Sequence, residues 1–299
     1  MIRIELQVDL RYEVDSHGAD FIFNIHAAQT ACQSVSQERV WLNQPVTPQI
    51  DTDPATGNRF MRLRAGPGEL RVSYSALIDI AHHRADPARL PEVAVRLLPL
   101  EAFPYIYPSR YCESDRLGKF AITEFGGLWQ GHGRVQAIRD WVNRRVSFRP
   151  NTSTSATSAI DTLIAQVGVC RDFSHLMIAL CRALSIPARF TTGTDFGADP
   201  ALGPPDFHAY VEAYLGDRWY LFDPSGTAIP MGLVRFGTGR DAADVAFATI
   251  FGGVKADPPV IRTLALEDLS QGIVLPHHCL DALSTDALSR SSTLPQRAQ

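Results

Sequence analysis

The sequence predicts an α+β protein, in which a β-rich N-terminal module precedes helices and a further set of strands. Three observations support this class. Short runs of alternating apolar and polar residues extend to about residue 100, helical spacings of apolar residues begin near residue 114, and alternating runs return after residue 187. Blocks of strands and helices in this order are typical of α+β folds. We assign residues 1–100 to a sandwich-like module, 101–262 to a second domain and 263–299 to a C-terminal extension.

The N-terminal module is predicted from five alternating runs separated by turn signals. The runs are RIELQVDLRYEV, DFIFNIHA, SQERVWLN, RFMRLRA and ELRVSYSALIDI. The segments SHGAD, DPATGN and AGPG between them are rich in the residues that favour turns. Short strands at this spacing indicate an antiparallel sandwich. The proline-punctuated stretch 86–115 is predicted to cross between the two domains.

The second domain begins with amphipathic helices. HGRVQAIRDWVNRRVSF has apolar residues at helical spacing, and the polar loop NTSTSAT provides capping residues for the helix SAIDTLIAQVG. A third helix follows Gly168, because apolar residues recur at spacings of four, three, four and four from Val169 to Leu184. GRDAADVAFATIFG predicts a short helix, and the polar tail from Ser284 onward predicts disorder.

Composition excludes several classes of function. The net charge is −4 and the pI is near 6.1, so no basic surface for nucleic acid is expected. No apolar run approaches the ~18 residues of a membrane span. The first residues alternate as a strand and lack the apolar region of a signal peptide. The five scattered cysteines do not form a disulfide framework, so we expect a reduced, cytoplasmic protein with free thiols.

A hairpin in the segment FHAYVEAYLGDRWYLFDP brings two chemically active residues together. The Gly216-Asp217 break predicts a two-residue turn, which pairs Leu215 with Arg218. This register places His208 and Asp223 on one face as diagonal neighbours, roughly 7 Å apart at the backbone. A slip of one residue would place them on opposite faces.

Cys170 at the head of the third helix supplies a nucleophile for this pair. The unpaired amides and the dipole at a helix N-terminus favour a thiolate. An imidazole at His208 then serves as the base, and the Asp223 carboxylate orients that imidazole. The amide of Cys170 is available to stabilise an oxyanion, and Gly168 permits close approach of chain or substrate just before the nucleophile.

These segments resemble the transglutaminase-like core. The resemblance rests on GVCRDFSHLMIALCRALSIPARFTTG and DFHAYVEAYLGDRWYLFDPSG, over about residues 165–228, and YPSRYCESD and GRDAADVA are similar to segments of bacterial members. It implies a papain-like core at 101–262 and acyl transfer through a thioester at Cys170. Animal relatives use calcium, but no calcium-loop motif is present, so no cofactor and no metal are predicted.

Four further residues are predicted to contact substrate: Gly168, Asp206, Tyr210 and Trp141. Tyr210 shares a face with His208, and Asp206 lies in the loop 194–207, which is either a connector or a substrate-shaping lid. Trp141 is a candidate second oxyanion donor, together with Trp129 and Asn151. Three neighbours of the nucleophile receive structural roles instead: Cys181 in the core, His175 in packing and Asp172 at the helix cap.

The triad leaves the acyl acceptor open. Water would make the protein a cysteine peptidase or amidase, which the sequence favours, whereas an amine would make it a transglutaminase that forms isopeptide bonds. Arylamine acyl transfer uses a similar triad and fits the sequence less well. A non-catalytic binding module with a relic site is the remaining alternative, although such a relic would be expected to lose one of the three residues. The expected partner is a peptide or protein substrate, and the sequence does not indicate an oligomeric state.

Overall fold

The computed structural model describes residues 1–197 and 205–288. Seven strands form its N-terminal part: β1 (Ile2–Val14), β2 (Ala19–Phe23), β3 (Gln33–Leu42), β4 (Gln49–Thr52), β5 (Arg59–Ala65), β6 (Gly68–Ile80) and β7 (His83–Ala85). Short 3-10 turns occupy much of the segment from Pro87 to Arg116 and lead into the second domain.

The remainder of the described chain contains four α-helices and ten further strands. Its first elements are α1 (Gly118–Phe125), α2 (His132–Arg145), β8 (Ser147–Phe148), α3 (Ala159–Ala165), β9 (Val167–Gly168) and α4 (Cys170–Ala183). The later ones are β10 (Ala188–Thr194), β11 (His208–Leu215), β12 (Arg218–Phe222), β13 (Val234–Gly239), β14 (Ala248–Phe251), β15 (Val254–Ala256), β16 (Val260–Leu266) and β17 (Ala282–Ser284).

Two antiparallel sheets form the predicted N-terminal sandwich. One sheet has the order β15-β1-β6-β3 with β16 also paired to β1, and the other has the order β14-β2-β5-β4. Alternate residues of β1 and β6 point into a common core, as the period of two in their sequences predicts. All five strands predicted for this module are present.

The chain returns to the sandwich after the second domain. Strands β14, β15 and β16 pair with β2 and β1, so residues 248–266 complete both sheets of the N-terminal module. The helix predicted for GRDAADVAFATIFG is therefore wrong. Asp241 and Asp244 cap a turn instead, and Ala248 and Ile250 alternate with more exposed residues along a strand edge.

The central sheet of the second domain has the antiparallel order β12-β11-β10-β13. Its strands are buried on both faces. Ala209, Val211 and Ala213 pack with α4, whereas Tyr210 and Leu221 pack against the sandwich core. This double burial explains the nearly continuous apolar character of the two strands of the hairpin.

The C-terminal segment is more ordered than its polar sequence predicts. Ser284 ends β17, which pairs with β7, and Asp286 forms ion pairs with two buried arginines. The prediction of disorder from residue 284 is therefore wrong for residues 284–288, and the rest of that prediction lies outside the described residues. In the described ranges, no helix is long and apolar enough to cross a membrane.

Candidate active site

Cys170 is the first residue of α4, and the local sequence explains why the helix begins there. Val169 is extended, and its amide donates to Oδ2 of Asp172 at 2.9 Å, which confirms the predicted capping role of Asp172. The strand pair β8–β9 holds the chain that leads into this helix end. The side chain of Cys170 is half-buried, and its Sγ lies 4.0 Å from the carbonyl oxygen of Phe207.

The hairpin places His208 beside Asp223 in the predicted register. Val211 pairs with Phe222 and Leu215 with Arg218, as the two-residue turn requires. Nε2 of His208 lies 3.5 Å from Oδ1 of Asp223, an ion-pair distance that is long for a hydrogen bond. Both side chains are buried, with 6% and 1% exposure. The segment before His208 also carries the Phe207 carbonyl that contacts Cys170, so the structure brings all three residues together.

A network of donors fixes the Asp223 carboxylate. Oδ1 accepts from the amide and the hydroxyl of Ser225 at 3.0 and 2.6 Å, and Oδ2 accepts from the amide of Ala228 at 3.1 Å. Helix α2 holds the same turn from outside, because Arg139 donates to the carbonyl of Asp223 and Asn143 donates to that of Ser225. The sequence does not predict these two supports, since they act on the backbone of a distant turn.

Electrostatics favour opposite charges on the His–Asp pair. Burial alone would raise the pKa of Asp223, but the charge of His208 and the hydrogen bonds lower it to about 2. The ionised carboxylate of Asp223 therefore stabilises the folded state above pH ~4, the ordinary pKa of an aspartate. That contribution is lost as the pH falls towards 2. Burial alone would lower the pKa of His208, but Asp223 and Cys170 hold it well above its ordinary value.

The four residues predicted to contact substrate have different surroundings. A Cβ at Gly168 would lie 2.7 Å from Cβ of Asp172, so this glycine makes room for the capping side chain. Tyr210 is fully buried in the sandwich-facing core. Asp206 is exposed, and its carboxylate accepts from the amide of Phe207. Trp141 packs edge-on against two aromatic rings of α1, Phe120 and Phe125.

Of the other oxyanion candidates, Trp129 is 93% exposed and Asn151 adopts a left-handed backbone conformation in an exposed loop. The loop 194–207, predicted to be a connector or a lid, lies partly outside the described residues, which omit 198–204.

The remaining neighbours of Cys170 have structural surroundings, as the sequence predicts. Cys181 is fully buried in the helical core, and burial raises its pKa. His175 is also fully buried. Its ring stacks on Tyr111 at 5.0 Å, and its Nε2 accepts from the amide of Ala242. The second thiol of this helix and its histidine are therefore occupied in packing.

Replacing Asp223 with asparagine is expected to lower the pKa of His208 by at least about one unit, a tenfold change in the imidazolium equilibrium. The amide removes the charge that offsets the burial of His208. Histidine labelled with ¹⁵N allows the titration of His208 to be followed by NMR. Asp217→Asn removes the same charge from the exposed turn of the same hairpin, and a shift of equal size in that control would contradict the specific role of Asp223.

Comparisons with known proteins agree with this architecture. Residues 2–101 match the family described as bacterial transglutaminase, N-terminal domain, and residues 126–224 match the transglutaminase-like superfamily. A structure from Cytophaga hutchinsonii, described as that of a candidate cysteine protease, superimposes with a TM-score of 0.87 at 38% identity. The match covers 95% of this chain and 97% of that one.

Curated mycobacterial relatives match a shorter part. An uncharacterised protein of Mycobacterium leprae is 32% identical over 117 residues, which cover 38% of this chain and 42% of that protein. One from Mycobacterium tuberculosis is 30% identical over 125 residues, covering 37% of this chain and 40% of that protein. The chain thus aligns with less than half the length of these relatives.

The N-terminal sandwich and the helix-and-sheet core together define a mixed α/β protein with a papain-like second domain. Within this class, the match over nearly the whole length of the Cytophaga hutchinsonii structure and the two family matches are decisive. The chain belongs to the transglutaminase-like superfamily.

Proposed function

We propose that the protein is a thiol-dependent acyl-transfer enzyme that hydrolyses peptide or carboxamide bonds through a thioester at Cys170. The observation that carries this proposal is the placement of the buried His208 between a thiol at a helix N-terminus and a fixed carboxylate. Nε2 of His208 faces Asp223, which leaves Nδ1 for the thiol. A raised pKa at His208 favours an imidazolium next to a thiolate.

In this mechanism, the Cys170 thiolate attacks the substrate carbonyl, and His208 protonates the departing amine. Water then attacks the thioester with His208 as the base, which releases the acid and restores the thiol. Asp223 keeps the imidazole in its orientation and stabilises its charge. The amide of Cys170 is available for the oxyanion, because the first amides of a helix have no partner within it.

A surface depression is partly lined by a residue that lies near His208 in the sequence. It has a volume of about 430 Å³ and is lined by Pro205 and by residues 259–263 at the start of β16. Pro205 is three residues before His208, and Thr263 donates to the carbonyl of Asp195. The substrate expected from the proposed chemistry is a peptide or protein.

Labelling with iodoacetamide followed by mass spectrometry tests the reactive thiol. We expect Cys170 to be alkylated first. Cys112 and Cys181 are buried, and burial raises the pKa of Cys112 to about 12. Cys32 and Cys279 are internal controls, because they are half-buried like Cys170 but neither lies at the start of a helix. Equal labelling of all three half-buried thiols would contradict the proposal.

Incubation with a peptide library, with and without a primary amine, then identifies the acceptor. Cleaved or deamidated peptides are the expected products of hydrolysis. Products joined to the amine would instead identify a transglutaminase. Selective labelling of Cys170 without any peptide product would favour a binding module that has kept its triad.

A further inference from the structure

His208 has a second acidic neighbour. Strand β11 lies between β12 and β10, and Gly193 of β10 pairs with His208. Residues two apart on a strand share a face, so Asp195, which directly follows β10, is a diagonal neighbour of His208. Asp223 occupies the corresponding diagonal position on the β12 side. The imidazole is therefore flanked by one carboxyl from each neighbouring strand.

The backbone at Asp195 is held firmly, but one oxygen of its carboxyl has no hydrogen-bond partner within the described ranges. The Asp195 carbonyl accepts from Oγ1 of Thr263 at 2.9 Å, and the next amide, that of Phe196, donates to the Gly232 carbonyl at 3.1 Å. The residue is only 8% exposed, and within the described ranges its Oδ2 has no hydrogen-bond partner. A buried carboxyl oxygen without a partner destabilises the fold, so its presence needs another explanation.

The charges around Asp195 belong to the candidate active site. Burial raises the pKa of the Asp195 carboxyl, His208 opposes this shift and Asp223 adds to it. From β16, the contacting group is the neutral hydroxyl of Thr263. The two carboxyls thus shift in opposite directions, since the pKa of Asp223 is lowered. Such a divergence between neighbouring carboxyls is typical of groups with separate roles.

We propose that Asp195 is a positioning residue. It lies beside His208 and across from Asp223, and it extends the pH range in which the imidazolium–thiolate pair exists. This proposal rests on the proposed roles of Cys170 and His208. The carboxyl of Asp195 ionises before the imidazole loses its proton, because the ordinary pKa of an aspartate is far below that of a histidine and the pKa of His208 is itself held well above its ordinary value. Once ionised, it adds a second negative charge beside the imidazolium and delays its deprotonation.

The test compares the NMR titration of His208 in the full-length wild type, Asp195→Asn and Asp217→Asn, all labelled with ¹⁵N-histidine. The chain has nine histidines, and the signal that is lost in His208→Gln identifies the one of interest. We expect Asp195→Asn to lower the midpoint of His208 by about one pH unit, a tenfold change. Asp217→Asn should leave it unchanged, because its carboxylate is 62% exposed in the turn.

The remaining outcomes decide against one of the two proposals. An unchanged midpoint in Asp195→Asn, or equal shifts in both variants, would overturn the role of Asp195. Asparagine keeps the shape and removes a buried charge, so we expect Asp195→Asn to fold at least as stably as the wild type. A large fall in its melting temperature would indicate a structural carboxyl and would also overturn the role. Alkylation of Cys170 at the same rate as Cys32 and Cys279 would count against the proposed function. The titration of His208 does not depend on that labelling, so the two proposals are tested separately.

Discussion

Replacing Cys170 with alanine is expected to reduce the turnover of a cleaved peptide by at least about 10⁴-fold while leaving the fold intact. The loss is large because His208 and Asp223 have no nucleophile to activate in the variant, so only binding and oxyanion stabilisation remain. The half-buried side chain of Cys170 lies at a helix end, where the removal of one sulfur costs little packing. Turnover and the melting temperature should be measured on the same preparation.

Cys181→Ala is the matched control, because it removes a thiol from the same helix. Cys181 is fully buried, so the variant is expected to lose about 1 kcal/mol of stability and to keep its turnover. Full activity in Cys170→Ala would refute the nucleophile. Inactivation of Cys181→Ala without unfolding would show that the other thiol carries the chemistry.

Local sequence signals predicted the part of the site that lies within one hairpin and one helix start. The Gly216-Asp217 turn sets the register between two adjacent strands, so His208 and Asp223 could be paired without knowledge of the rest of the fold. Position at a helix N-terminus similarly distinguished Cys170 from Cys181. These inferences depend on contacts between residues that are close in sequence.

The missed features depend on contacts between distant segments. Strand β16 pairs with β1 from more than 250 residues earlier, and a short alternating run does not specify its partner. Asp195 could be placed beside His208 only after β10 was known to lie on the other side of β11. Arg139 supports Asp223 through a backbone carbonyl, which any residue in that turn would provide. Patterns of residue type carry little information about such contacts.

A buried ion-pair cluster joins the central sheet to the C-terminal segment. Arg189 on β10 and Arg235 on β13 both contact Glu212 on β11 and Asp286 in the C-terminal segment. The exposure of the Glu212 side chain is 1%, and those of the two arginines are 9% and 6%. The polar sequence around Asp286 resembles a disordered tail. The two arginines balance the charge of Asp286 only in the folded protein.

Replacing Glu212 with alanine is expected to lower the free energy of unfolding by about 3–5 kcal/mol, because it leaves two buried arginines with one carboxylate. Removal of a partner from a buried pair costs more than the pair itself contributes, since the remaining charge stays away from water. Urea unfolding followed by circular dichroism gives this difference. Arg62→Ala, which breaks the exposed pair with Asp51, is the matched control and should cost less than about 1 kcal/mol.

The pH dependence of the same measurement gives an independent check. The two arginines outweigh burial and hold the pKa of Asp286 well below its ordinary value. Its contribution to stability is therefore complete above pH ~4 and is lost as the pH falls further. Because Glu212→Ala removes the competing carboxylate, Asp286 alone then balances both arginines, and the acid-induced loss of stability should persist in the variant. A cost below about 1 kcal/mol at neutral pH would show that water reaches the cluster and that it does not hold the C-terminal segment in place.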